Sequence, residues 1–122
     1  MINKNLLSNN TYFLNSHAKV LFDEYNLALK NKMWASVIIL SLTIVDNILT
    51  DERILDYIDA LDLNEFKRSK DLQWLRIRRN KILHYEGPIE GFYGNNDSLK
   101  VLKLDAKRAE KIINVELLKI FN

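Results

Sequence analysis

The chain has 122 residues, 48% hydrophobic and 28% charged, which fits one folded domain and excludes both a disordered segment and a two-core protein. It contains no cysteine, so disulfides, thiolate nucleophiles and cysteine-based zinc sites are ruled out and a reducing compartment is expected. A formal charge of +2 is too small to signal a polyanion ligand, but its distribution is uneven. Lys67, Arg68, Lys70, Arg76, Arg78, Arg79 and Lys81 share one short stretch with only Asp71 to offset them. Such a run suits phosphate contact, and it equally suits an ordinary solvated helix.

Taken in chain order, the first residues, MINKNLLSNN, lack the apolar core of a secretory signal, and a cytoplasmic protein with no membrane contact is expected. Helical spacing of Phe13, His17, Val20, Leu21, Leu27 and Ala28 predicts a first helix from Asn10 to Lys30. A second runs from Met33 to Thr50. It is apolar on nearly every side yet interrupted by Ser36, Ser41, Thr43, Asp46 and Asn47, the pattern of a central bundle helix rather than a membrane span. Thr50 or Asp51 can cap a short third helix through Leu61, and Asn64 can cap a fourth from Glu65 to Tyr85. All three glycines and the single proline then fall between Tyr85 and Ser98, which marks a loop. Leu99 to Leu104 alternates loosely and could be extended. Asp105 can cap a last helix carrying Ile112, Ile113, Leu117 and Ile120. Residues 1–122 thus read as a single all-α domain, an up-and-down bundle of four to five helices.

The fourth helix breaks its own pattern. At about 100° per residue, Leu72, Leu75, Ile82 and Leu83 form an apolar arc with Arg79 in its middle. A guanidinium cannot discharge itself, so it must meet a carboxylate, a water-lined cleft or an interface with a polyanion. Asp46 on the central helix is a candidate structural partner. His84 lies about 40° around the helix from Asn80, a spacing at which the amide can orient the imidazole. Arg79 and His84 are about 140° apart on an ideal helix. They could border one cleft if the helix frays towards Gly87, or if a second copy contributes across a twofold axis. Phe92 and Tyr93, in the following loop, can either stack on unpaired bases or anchor the loop. Trp34 and Trp74 read as core or interface aromatics, and His17 as structural. The two histidines lack metal-ligand spacing, and neither metal nor cofactor is expected.

Arg79-Asn80-Lys81-Ile82-Leu83-His84 resembles the R-x4-6-H motif of the HEPN superfamily (higher eukaryote and prokaryote nucleotide-binding domains), in the form with a polar residue directly after the arginine. The position of the motif, late in a bundle helix, is similar too. The resemblance implies a metal-independent endoribonuclease, usually a homodimer with the two motifs in a composite cleft. His84 would then act as general acid or base, Arg79 would hold the scissile phosphate, and Asn80 would orient the pair. Arg76, Arg78, Lys81, Tyr85 and Tyr93 would contact RNA. A toxin, or a stress or defence effector, is the implied setting, with an antitoxin or nucleotidyltransferase as partner. The chain departs from toxins whose motif continues as H-x-Y, because Glu86 stands two residues beyond His84 and Tyr85 is adjacent to it. Two other readings use the same residues: a non-catalytic HEPN module that binds nucleotide or RNA or docks substrate for a partner enzyme, and a dimerisation scaffold that leaves Arg79 unexplained.

Overall fold

The computed structural model describes residues 14–55, 64–65 and 67–121. Among them the regular structure is helical, without a strand, and the helices pack as an all-α bundle. None of these helices is long and apolar enough to cross a membrane.

Helix α1 spans Ser16–Lys30. Asn15 starts it, its side-chain oxygen accepting from the Ala18 amide at 2.8 Å while its Nδ2 donates to Asp51 at 2.9 Å. One residue therefore caps the helix and ties its start to the far end of the next. The predicted helix began earlier, at Asn10; Leu14 and Asn15 are not helical, and residues 10–13 lie outside the described residues. The buried face is Ala18, Phe22, Tyr25 and Ala28. Val20 and Leu27, expected to face inward, are more than half exposed because they project about 140–160° away from the centre of that stripe. His17 is exposed as well, and Phe13 lies outside the described residues.

Lys32, with φ +57°, reverses the chain into helix α2, Trp34–Thr50. No residue of α2 before Thr50 is exposed, as its all-round apolar sequence predicts. The hydroxyls of Ser41 and Thr43 donate to carbonyls one turn back, at 2.8 and 2.7 Å, so two polar residues enter the interior with their hydrogen bonds made. Helix α2 lies against α1 on one side and against the last two helices on the others. Asp51 caps the short helix α3, Glu52–Leu55, by accepting from the Arg53 amide at 3.0 Å. The rest of its expected length, to Leu61, lies outside the described residues.

Helix α4 covers Lys70–Leu83. The expected helix from Glu65 is broken: Asn64, Glu65 and Lys67 are helical, but the chain turns at Arg68 and restarts at Ser69. Ser69 caps the helix, accepting from the Leu72 amide at 3.4 Å, and donates to the buried Glu116 at 2.8 Å. Helix α5 runs from Asn96 to Phe121. Neither the extended Leu99–Leu104 segment nor a cap at Asp105 is present. Asn95 begins the helix by accepting from the Ser98 amide at 2.7 Å. The alternation that suggested a strand is half of a helical stripe, because Leu102, Ala106, Ala109, Ile113 and Leu117 are buried while Leu99 and Leu104 are exposed. Ile112 is buried as expected, and the side chain of Ile120 lies outside the described residues.

Tyr25 is completely buried, and its hydroxyl meets no hydrogen-bond partner among the described residues. Burial, and after it the charge of Glu110, push the phenol well above its ordinary range. In the unfolded chain that phenol ionises near pH 10, whereas the fold accepts only its neutral form. Its contribution to stability is therefore complete below about pH 10 and is lost as pH rises beyond that point. Tyr25→Phe should be at least as stable as the parent at pH 7, since it removes an unsatisfied buried hydroxyl. It should also keep more of its stability at about pH 10.5; urea titrations at the two pH values measure both effects.

Candidate functional site

The three arginines of α4 have three different environments. Arg78, expected on the phosphate-contacting stripe with Arg76 and Lys81, is instead buried. Its Nε donates to Asp105 of α5 at 2.8 Å, and its Nη2 donates to the carbonyl of Glu90 in the loop. A Cβ at Gly91, whose φ is +92°, would stand 3.0 Å from that same Nη2. Both the positive φ and the close approach require glycine there. The inward face of α4 is therefore Leu72, Leu75 and Arg78, while Leu83, placed in the apolar arc by periodicity, is half exposed at the helix end.

Arg79 is mostly covered, with 19% of its side chain exposed, and it meets Asp46 of α2 at 3.2 Å as the pattern suggested. Arg76 shares that carboxylate, at 3.0 and 3.3 Å. Two guanidiniums on one carboxylate leave a net positive charge at this face of the bundle. The Nε of Arg79 is buried and meets no hydrogen-bond partner among the described residues.

His84 is the C-cap of α4, in an extended conformation, with its backbone amide bonded to the Asn80 carbonyl at 2.9 Å. Its imidazole is exposed. The Asn80 side chain does not orient that imidazole; its oxygen accepts from Arg79 Nη2 at 3.2 Å. Asn80, Lys81 and His84 line an open cleft of about 560 Å³, closed on the loop side by Gly87, Pro88 and Ile89. Arg79 is not among its walls, because its guanidinium is drawn towards α2. Within one chain, then, the arginine and the histidine of the motif do not meet in one cleft, and Asn80 is the residue that touches the first and sits beside the second.

Tyr85 is 83% exposed directly after the histidine, and Tyr93 is 57% exposed. The Tyr93 backbone is nonetheless held, its amide donating to the buried Ser98 hydroxyl at 2.8 Å. Trp74, read from sequence as packing, packs against the core and also carries Arg108 stacked 3.9 Å from its ring centre. It lines a second cleft beside the first, a role that only its i, i+4, i+7 spacing with Arg78 and Lys81 would have suggested. Among the described residues no three His, Cys, Asp or Glu side chains are grouped to hold a metal ion.

The two ion-pair sites should respond differently to loss of their carboxylates. Asp105→Ala strands a buried charge and is expected to cost about 3–5 kcal/mol. Asp46→Ala, at a third-exposed carboxylate, should cost about 1 kcal/mol or less; equal costs in denaturant titration would contradict this account of the arginines. Comparison with protein-family models, curated proteins and solved structures finds no match to this chain, so the interpretation of its surface rests on its own residues.

Proposed function

We propose that the chain is a metal-independent endoribonuclease of the HEPN type, working as a homodimer at the carboxyl end of α4. The observation that carries this reading is the placement of Asn80. It hydrogen-bonds Arg79 on one side and shares the open cleft with the exposed imidazole of His84 on the other. A guanidinium, an amide and an imidazole thus follow one another across the last turns of one helix, with Lys81 adding a cation beside the histidine.

The chemistry suits these groups. The ribose 2′-hydroxyl attacks the neighbouring phosphorus, a 2′-oxygen–phosphorus bond forms, and the bond to the 5′-oxygen breaks. The base takes the 2′ proton, and an acid protonates the departing 5′-oxygen, leaving a 2′,3′-cyclic phosphate and a 5′-hydroxyl. An imidazole titrates near neutrality and can serve at either end of that transfer. Arg79, permanently charged, suits the phosphoryl oxygens as they gain charge. A dimer supplies the element a single copy lacks, a second motif facing the first across a twofold axis. RNA is the substrate because only RNA carries the internal nucleophile.

A second reading, a non-catalytic module that binds RNA or nucleotide, is favoured by a specific feature: Asp46 already occupies the Arg79 guanidinium. Cleavage of mixed-sequence single-stranded RNA in excess EDTA separates the two. The parent protein should cut, His84→Ala should be slower by about 10²–10⁴-fold, and Arg79→Ala by about 10²–10³-fold, with helical circular dichroism unchanged. RNA binding by all three proteins without cutting by any would establish the module instead.

A further inference from the structure

Beside the His84 cleft lies a second one, of about 410 Å³, between α4 and the loop that follows it. Trp74 and Tyr93 stand among its walls. Ile77, Lys81, Pro88 and Ile89 border both clefts, so the two form a continuous groove with Lys81 at the junction.

The loop side of this groove is held in place at three points. The Glu90 carbonyl is fixed by the buried Arg78, the Phe92 amide donates to the Ile89 carbonyl at 3.1 Å, and the Tyr93 amide is fixed by Ser98. Tyr93 therefore presents a largely exposed ring from a pinned backbone. A loop-anchoring aromatic would bury its ring. Here backbone bonds do the anchoring, and the ring is left to the groove. Across the groove, Trp74 is kept in place by Arg108 stacked over its ring. Aromatic walls, a cation at one end and a preformed shape are the features of a site for a flat, unpaired base next to a phosphate.

We propose that the cleft between Trp74 and Tyr93 is a nucleobase subsite, taking one unpaired base of a single-stranded RNA while Lys81 contacts the phosphate that joins it to the His84 cleft. This assignment rests on the ribonuclease reading for its choice of RNA. Tyr93 contributes by stacking, so the ring matters and the hydroxyl does not. Lys81 contributes charge, so its effect is screened by salt.

Binding of a 2′-O-methyl RNA hexamer tests the subsite separately from catalysis, because the methylated strand has no nucleophile and cannot be cut. With Trp34→Phe as background, Trp74 is the remaining tryptophan, and its fluorescence should change when the hexamer binds. Tyr93→Ala should weaken binding by about tenfold or more, the range of one stacked base, whereas Tyr93→Phe, which keeps the ring, should bind like the background protein. An abasic strand with the same phosphates should bind more weakly and leave Trp74 unchanged. Equal binding by Tyr93→Ala, or an equal response to the abasic strand, would overturn the subsite. A protein that cuts RNA in EDTA yet binds independently of Tyr93 keeps the nuclease and loses the subsite. One that binds through Tyr93 and never cuts keeps the subsite and loses the nuclease.

Discussion

The carboxyl end of α4 and the loop after it depend on the buried ion pair between Arg78 and Asp105. It joins α4 to α5, and through the Glu90 carbonyl the same guanidinium holds the loop between them. A permanent charge with 8% of its side chain exposed is tolerable only when its donors are used, so the pair and the loop must form together. Gly91 belongs to the same arrangement, since any side chain there would press on the guanidinium. With the loop fixed, Pro88 and Ile89 become a wall shared by two clefts.

The other two arginines of α4 divide the remaining charge differently. Arg76 and Arg79 share Asp46, and the excess positive charge stays near the surface. An anion arriving at this face would meet a guanidinium already oriented by a carboxylate and by Asn80. Orientation before arrival is what a phosphate-binding arginine needs, because little is then spent ordering a flexible side chain. The same carboxylate also competes with the phosphate. That tension is why the catalytic and the binding readings can be drawn from one geometry.

The bundle was legible from the chain wherever a pattern was strong. The nearly all-round apolar α2 and the glycine-rich loop followed from spacing and composition, and Asp46 was one of the partners that the position of Arg79 allowed. What escaped depended on contacts distant in sequence. Arg78 and Arg79 are one step apart, about 100° around the helix, the first beside the apolar arc and the second within it. Which of them is buried was decided by Asp105, a residue that by local rules looked like a helix cap. Ser69 took over the start of α4 because Glu116, far along the chain, accepts its hydroxyl hydrogen. The Leu99–Leu104 segment misled for a local reason: a short alternating run fits a strand until Leu102 is read with Ala106 and Ala109. At the candidate site, Arg79, Asn80 and His84 stood out in the sequence, but the second cleft did not, because its walls come from a helix and a loop brought together by the Arg78 pair.

The claim at the centre of this account is that His84 and Arg79 serve attack by a ribose 2′-hydroxyl on its own phosphate. The most direct measurement uses a DNA oligomer carrying one ribonucleotide, incubated with the protein in EDTA, followed by analysis of the product ends. The account predicts a single cut directly 3′ of the ribonucleotide, a 2′,3′-cyclic phosphate on one fragment, a 5′-hydroxyl on the other, and an intact all-DNA control. Cutting of the all-DNA strand, or 5′-phosphate ends at the ribonucleotide, would contradict it.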